Sequence, residues 1–66
     1  MKILVTGANG YLGLGVVKAI LDYGHQVIAV DFKTNYVDNR AKKIDCDLFE
    51  IDDPFNCFEK PDVYFI

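Results

Sequence analysis

Three glycines at intervals of three, Gly7, Gly10 and Gly13 in the stretch TGANGYLG, are the residues of this chain best placed to do chemistry through the backbone. A loop of this kind at the start of a helix presents main-chain N–H groups that lack intrahelical partners, and the helix dipole adds partial positive charge. A pyrophosphate can be held there, provided no side chain blocks its approach. In that reading Gly7 makes the tight turn, Gly10 lets the backbone come close to the phosphates, and Gly13 lets the helix pack against the preceding strand. A dinucleotide would also need an acidic side chain about 20 residues on, accepting from the ribose hydroxyls. Asp31 stands 18 residues after Gly13, directly behind the apolar run VIAV. Its carboxylate would repel a ribose 2′-phosphate, so the pattern favours NAD over NADP. Lys33 is the one neighbour able to soften that preference. The competing reading makes Asn9-Gly10 the two-residue turn of a β-hairpin.

The elements around the glycines decide between the two. Ile3 to Val5 is a short unbroken apolar run, as in a strand buried on both faces. Leu12, Val16, Val17, Ala19, Ile20, Leu21 and Tyr23 then recur with helical spacing, and Gly24 follows where a left-handed C-cap belongs. Val27 to Val30 is a second buried strand. Residues 32–41 are polar and unpatterned, which predicts a loop. Lys42 to Cys46 is a weak strand suited to a sheet edge. Asp53 can cap a short helix with Pro54 at its first position and Phe55 and Phe58 on its apolar face. Pro61 ends it, and Val63 to Ile66 is strand-like again. Strands alternating with helices imply a parallel sheet with helices on its faces. A hairpin needs alternating apolar residues on both sides of its turn, whereas the residues after Gly10 keep helical spacing for three turns. The phosphate cradle is the better reading.

Composition narrows the function classes. The chain has 66 residues, 52% of them hydrophobic, and a net charge of −3, which suits one small globular domain. The acidic balance argues against a nucleic-acid partner. The only basic cluster, Arg40, Lys42 and Lys43, reads as a solvated loop or strand edge, as does most of the acidic stretch from Asp45 to Asp53. No stretch approaches the roughly 20 apolar residues of a membrane span, and the first five residues are too short an apolar run for a signal peptide. Cys46 and Cys57 have neither a nearby cysteine nor histidine at metal-ligand spacing, and His25 is the only histidine. The expectation is no metal, reduced thiols and a cytoplasmic location.

With these residues in place, MKILVTGANGYLGLGVVKAILDYGHQVIAVD resembles the N-terminus of the extended short-chain dehydrogenase/reductases, the NAD-dependent epimerase/dehydratase group. CDLFE resembles the Asp-Leu that follows their third strand, and PDVYFI the start of their fourth, so the resemblance spans all 66 residues. It implies an α/β fold, the N-terminal half of a Rossmann fold, with a parallel sheet of about four strands in the order 3-2-1-4 and helices on both faces. It also implies roles for particular positions. Backbone N–H groups of Tyr11 and Leu12 would meet the pyrophosphate, Asp31 with Phe32 beside it would hold the adenosine ribose, Asp47 would accept from the adenine amino group, and Leu48 would contact the ring. Leu14 and Gly15 depart from the family, which has polar residues after the third glycine. Gly15 adds a helix-interior penalty of about 1 kcal/mol relative to alanine.

The family's chemistry uses a tyrosine with a lysine four residues later, plus a serine or threonine, to move a proton while NAD takes a hydride. None of Tyr11, Tyr23, Tyr36 and Tyr64 has that lysine, and the chain contains no serine. Tyr36 with Arg40 has the spacing, but the arginine pKa is too high for proton exchange. No catalytic residue is therefore assigned. Residues 1–66 read as a partial dinucleotide-binding domain cut within its fourth strand, the N-terminal fragment of an epimerase or dehydratase acting on a nucleotide-linked sugar. The alternative is a stand-alone half-Rossmann module that binds a nucleotide or a protein without catalysis. Either reading leaves an apolar strand edge at residues 63–66, which predicts self-association.

Overall fold

The computed structural model describes residues 1–47 and 60–65. The elements are β1 (Lys2–Thr6), α1 (Tyr11–Asp22), β2 (Gln26–Asp31), β3 (Lys42–Asp45) and β4 (Val63–Phe65). All four strands are parallel, and they form one sheet in the order β3-β2-β1-β4. This is the expected strand order, with α1 as its first crossover. The short helix expected from Asp53 and Pro54, with Phe55 and Phe58, lies outside the described residues, as do Cys57 and Ile66.

The two unbroken apolar runs become the two central strands because each must cover both faces of the sheet. Side chains alternate along a strand, so Val5, Val27 and Ala29 face one way and pack with Val17 of α1, while Leu4, Ile28 and Val30 form a second cluster flanked by Ile44 and Cys46. The largest fully buried side chains are Leu4, Val5, Val17 and Val30, each contributing about 1.5–3 kcal/mol of transfer free energy. The helix ends where glycine permits it. Gly24 adopts φ 89°, its N–H donates to the Leu21 carbonyl (2.9 Å), and the His25 N–H reaches the Ile20 carbonyl (3.3 Å). These two bonds are those of a Schellman cap.

The stretch 32–41 contains no helix or strand, as expected, but it is not merely a solvent-facing connection. Thr34, Val37 and Ala41 are buried, and the last two belong to the core cluster under α1. Two turns make this possible, closed by Val37 N–H to the Thr34 carbonyl (3.2 Å) and Ala41 N–H to the Asp38 carbonyl (3.1 Å). The buried Thr34 hydroxyl donates to Asp45 at the end of β3, so its desolvation is offset.

Arg40 fastens the same stretch to the end of α1. Its Nη2 reaches Asp22 and Asp38 at 2.8 Å each, and its Nε reaches Asp38 at 3.1 Å. This geometry lowers the Asp38 carboxyl from 3.8 to about 2, chiefly through the Arg40 side-chain bond. It also lowers the Asp22 carboxyl, again through Arg40 first. A carboxylate whose folded pKa is depressed contributes stability that is fully present above its unfolded value and is lost as pH falls through the folded one. The Arg40→Gln variant is accordingly expected to melt below the parent at pH 6. The gap should close between pH 4 and about pH 2, as thermal melts across that range would record. Exposed pairs such as these are worth little each, and the informative quantity is the change in the gap with pH.

Candidate functional site

Parallel strands bring all their carboxyl ends to one edge of the sheet, where ligands bind in open α/β sheets. Here Thr6 lies opposite Val30, Asp31 opposite Asp45, and Val5 opposite Phe65. The glycine-rich loop rises from the end of β1, and the strand order reverses between β1 and β4 beside it.

The loop is held by its own backbone. Gly7 turns with φ 65°, its carbonyl accepts from the Gly10 N–H at 3.1 Å, and the Ala8 N–H donates to the Val30 carbonyl at 3.3 Å. Gly13 sits on this turn so closely that a Cβ there would lie 2.1 Å from the Gly7 carbonyl oxygen. Gly10 precedes α1 as N-cap without a capping side chain, and the first turn carries no acidic residue. The Leu14 N–H makes the first intrahelical bond, to Gly10 at 2.9 Å, so the N–H groups of Tyr11, Leu12 and Gly13 have no partner within the helix. The Tyr11 and Leu12 side chains are exposed. An anion approaching this end meets backbone donors and no acidic side chain from the first turn of the helix.

Asp31 is half-buried at the end of β2. One oxygen accepts from the Phe32 N–H at 2.6 Å and the other from the Asn9 N–H at 2.9 Å. A carboxylate offers about four acceptor sites, so the group is oriented by two backbone donors and keeps capacity for two more. Phe32 is exposed, with the Lys33 ammonium 6.0 Å from its ring centroid. The Cys46 N–H donates to the Asp31 carbonyl at 2.8 Å, which places half-buried Asp47 just past the paired ends of β2 and β3. Leu48 lies outside the described residues. Glycine loop, capless helix start, Asp31 and Asp47 thus gather at one edge of the sheet.

Asn9 was not singled out from the sequence except as a turn former. Its side-chain oxygen accepts from the Tyr36 N–H at 2.9 Å, and its amide nitrogen donates to Asn35 at 3.2 Å. An asparagine before glycine signals a turn, and nothing local marks partners 26 and 27 residues away.

Other features compete weakly. A cavity of about 550 Å³ lies at the opposite end of the sheet, among Lys2, His25, Gln26, Arg40 and Lys42. In the basic cluster Arg40 is engaged by two carboxylates, and Lys43 donates to Asn39 at 2.7 Å. Among the described residues no helix is long and apolar enough to cross a membrane, and no group of three or more His, Cys, Asp and Glu could hold a metal ion.

A parallel sheet of order 3-2-1-4, entered through a strand, a glycine turn and a helix, is the N-terminal half of a Rossmann-like domain. The chain belongs to the NAD dependent epimerase/dehydratase family, whose profile matches residues 3–66. It superposes on the crystal structure of a UDP-galactose 4-epimerase with a TM-score of 0.83 and 29% identity, over 97% of this chain and 22% of that one. A dTDP-6-deoxy-L-talose 4-dehydrogenase (NAD(+)) of Aggregatibacter actinomycetemcomitans is 59% identical over 32 residues, 48% of this chain and 12% of the relative. A probable UDP-glucuronate 4-epimerase of Rhizobium meliloti is 40% identical over 43 residues, 65% of this chain and 13% of the relative. An uncharacterized 37.6 kDa protein of Escherichia coli O111:H- is 46% identical over a stretch of the same length and the same two shares. The chain therefore spans between about an eighth and a quarter of the proteins it matches. Family membership implies a nicotinamide dinucleotide as cofactor.

Proposed function

We propose that this chain is the adenosine-binding, N-terminal part of an NAD-dependent epimerase or dehydratase acting on a nucleotide-linked sugar. The observation that carries the reading is the Asp31 carboxylate, oriented by two backbone N–H groups, one of them from the glycine loop, beside a helix start free of acids and side-chain caps. In this reading Gly7, Gly10 and Gly13 shape the loop, and the Tyr11 and Leu12 N–H groups hold the pyrophosphate. Asp31, with Phe32 alongside, takes the ribose hydroxyls, and Asp47 and Leu48 meet the adenine. The named substrates of the relatives, a dTDP-deoxysugar and UDP-linked sugars, support a nucleotide sugar as substrate.

The cofactor supplies the hydride-accepting chemistry, while these 66 residues bind and orient its adenosine half. They hold no Tyr-x-x-x-Lys and no serine, so proton transfer belongs to other residues of the enzyme. The partners are NAD and, for the isolated chain, a second copy pairing along the exposed residues of β4.

Titrating the ¹⁵N-labelled chain with NAD and with NADP tests the reading. NAD should shift the amides of Gly7 to Gly13 and of Asp31. Binding should be weak, because the nicotinamide contacts are missing, but stronger for NAD than for NADP by about tenfold, since a 2′-phosphate would face the carboxylate. Tighter binding of NADP would show that Asp31 is misassigned, and shifts confined to the opposite end of the sheet would sink the site itself.

A further inference from the structure

The two halves of the site stand on different elements. The donors for the pyrophosphate belong to the start of α1, and the acceptor for the ribose ends β2. A dinucleotide joins the corresponding groups covalently, so its affinity depends on the protein holding the two at a matched separation before it arrives. Asn9 is the residue that touches both sides. It lies in the turn between Gly7 and Gly10, and its main-chain N–H is fixed on the Asp31 carboxylate at 2.9 Å. Its side chain spans to the loop beyond Asp31, accepting from the Tyr36 N–H at 2.9 Å and donating to Asn35 at 3.2 Å. The far side of that loop is anchored independently, by buried Val37 and by Thr34 on Asp45. The near side, which faces the glycine turn, is tied through Asn9.

We propose that Asn9 is a positioning residue of the adenosine site. Its carboxamide staples the loop after β2 to the glycine turn and fixes the spacing between the pyrophosphate donors and the Asp31 carboxylate. This rests on the NAD reading above. Aspartate at this position keeps the acceptor for Tyr36 but places a negative charge beside the pyrophosphate. Serine is too short to reach both partners. Asparagine has the length, the neutrality, the donor and the acceptor that the span requires.

The staple has a signature that general destabilisation lacks. Adenosine engages only the ribose side, whereas NAD spans both sides. Removing the staple should weaken NAD selectively, because only the joined ligand needs both halves in register. Destabilising the fold would weaken both ligands in the same proportion.

The experiment is a pair of amide chemical-shift titrations, with NAD and with adenosine, on the parent chain and on Asn9→Ala. The expected result is a loss of NAD affinity of roughly fivefold to tenfold, with adenosine affinity unchanged. Asn35→Ala cuts one of the two staple bonds from the exposed side and should lower NAD affinity by about twofold. It serves as the test if Asn9→Ala does not fold. An unchanged ratio of NAD to adenosine affinity in both variants overturns the staple and leaves the NAD reading standing. A parent chain that binds neither ligand overturns the NAD reading, and the staple falls with it.

Discussion

Gly13→Ala is expected to remove a large share of this chain's stability and to lower its unfolding midpoint sharply. The added methyl would lie 2.1 Å from the Gly7 carbonyl oxygen, 2.9 Å from the Gly7 carbonyl carbon and 2.9 Å from the Ala8 Cα, all main-chain atoms. Flexible side chains can yield to an intruding methyl, but this turn has little room to. The Gly7 carbonyl already accepts from the Gly10 N–H, and the next residue is pinned to Val30. Relief would require sliding α1 off the sheet or opening the turn, and either uncovers Val17 and Ala8, which are fully buried. Overpacking of this sort costs about 3 kcal/mol or more, a large share of the roughly 3–10 kcal/mol that a domain of this size holds. Gly15→Ala is the matched control in the same helix. A Cβ there meets nothing within 4 Å, so the substitution should stabilise the chain by up to about 1 kcal/mol. Urea unfolding followed by circular dichroism reads both. A Gly13→Ala chain that unfolds at the parent's midpoint would mean that helix and turn are not in contact.

Asp31→Ala carries the second large effect, and it acts on binding and stability together. On the proposed function, the variant loses the acceptor for two ribose hydroxyls, each hydrogen bond to a charged group being worth about 1.5–3 kcal/mol. NAD affinity should fall by at least about tenfold, while NADP, relieved of a facing carboxylate, should lose much less. The selectivity between the two cofactors should therefore shrink or invert in side-by-side titrations. The stability effect follows from the structure directly. The Asn9 and Phe32 N–H groups both donate to this carboxylate; water can replace it at the exposed Phe32 bond, but leaving the partly buried Asn9 donor unpaired costs about 1–3 kcal/mol. Asp31→Asn does not rescue both, since one of its two terminal atoms is itself a donor. If Asp31→Ala kept the parent's preference for NAD, the ribose would have to be read elsewhere.

The parts of this molecule that could be read from the chain are those whose signal is local. Ile3–Val5 and Val27–Val30 are unbroken apolar runs because central parallel strands are covered on both faces, and alternating strands and helices imply parallel pairing, whereas the strand order was legible only through the resemblance to the family. Asp31 was legible because a strand end places it at a set interval from the glycines. What stayed hidden depends on distant partners. Thr34, Val37 and Ala41 turn inward at intervals of three and four, but each lies among polar residues, so no apolar stripe announces them. Arg40 looks like part of a solvated basic cluster until Asp22, at the far end of α1, is brought beside it. Asn9 reads as a turn former because turn propensity is local, while its bonds reach across the site.

The position of β1 between β2 and β4 has a consequence for how the chain comes to be folded. Its pairing with β2 closes early, through the short crossover of α1. Its other edge waits for β4, and the bonds that start this pairing join Lys2 to Asp62, sixty residues further on. At a synthesis rate of about 5–20 residues per second, that interval lasts roughly three to twelve seconds. Throughout it the nascent protein carries an unpaired edge on its most apolar layer, the template on which strands from other chains assemble. For β1 the hazard ends when β4 docks, and the open edge then passes to β4, whose residues are exposed.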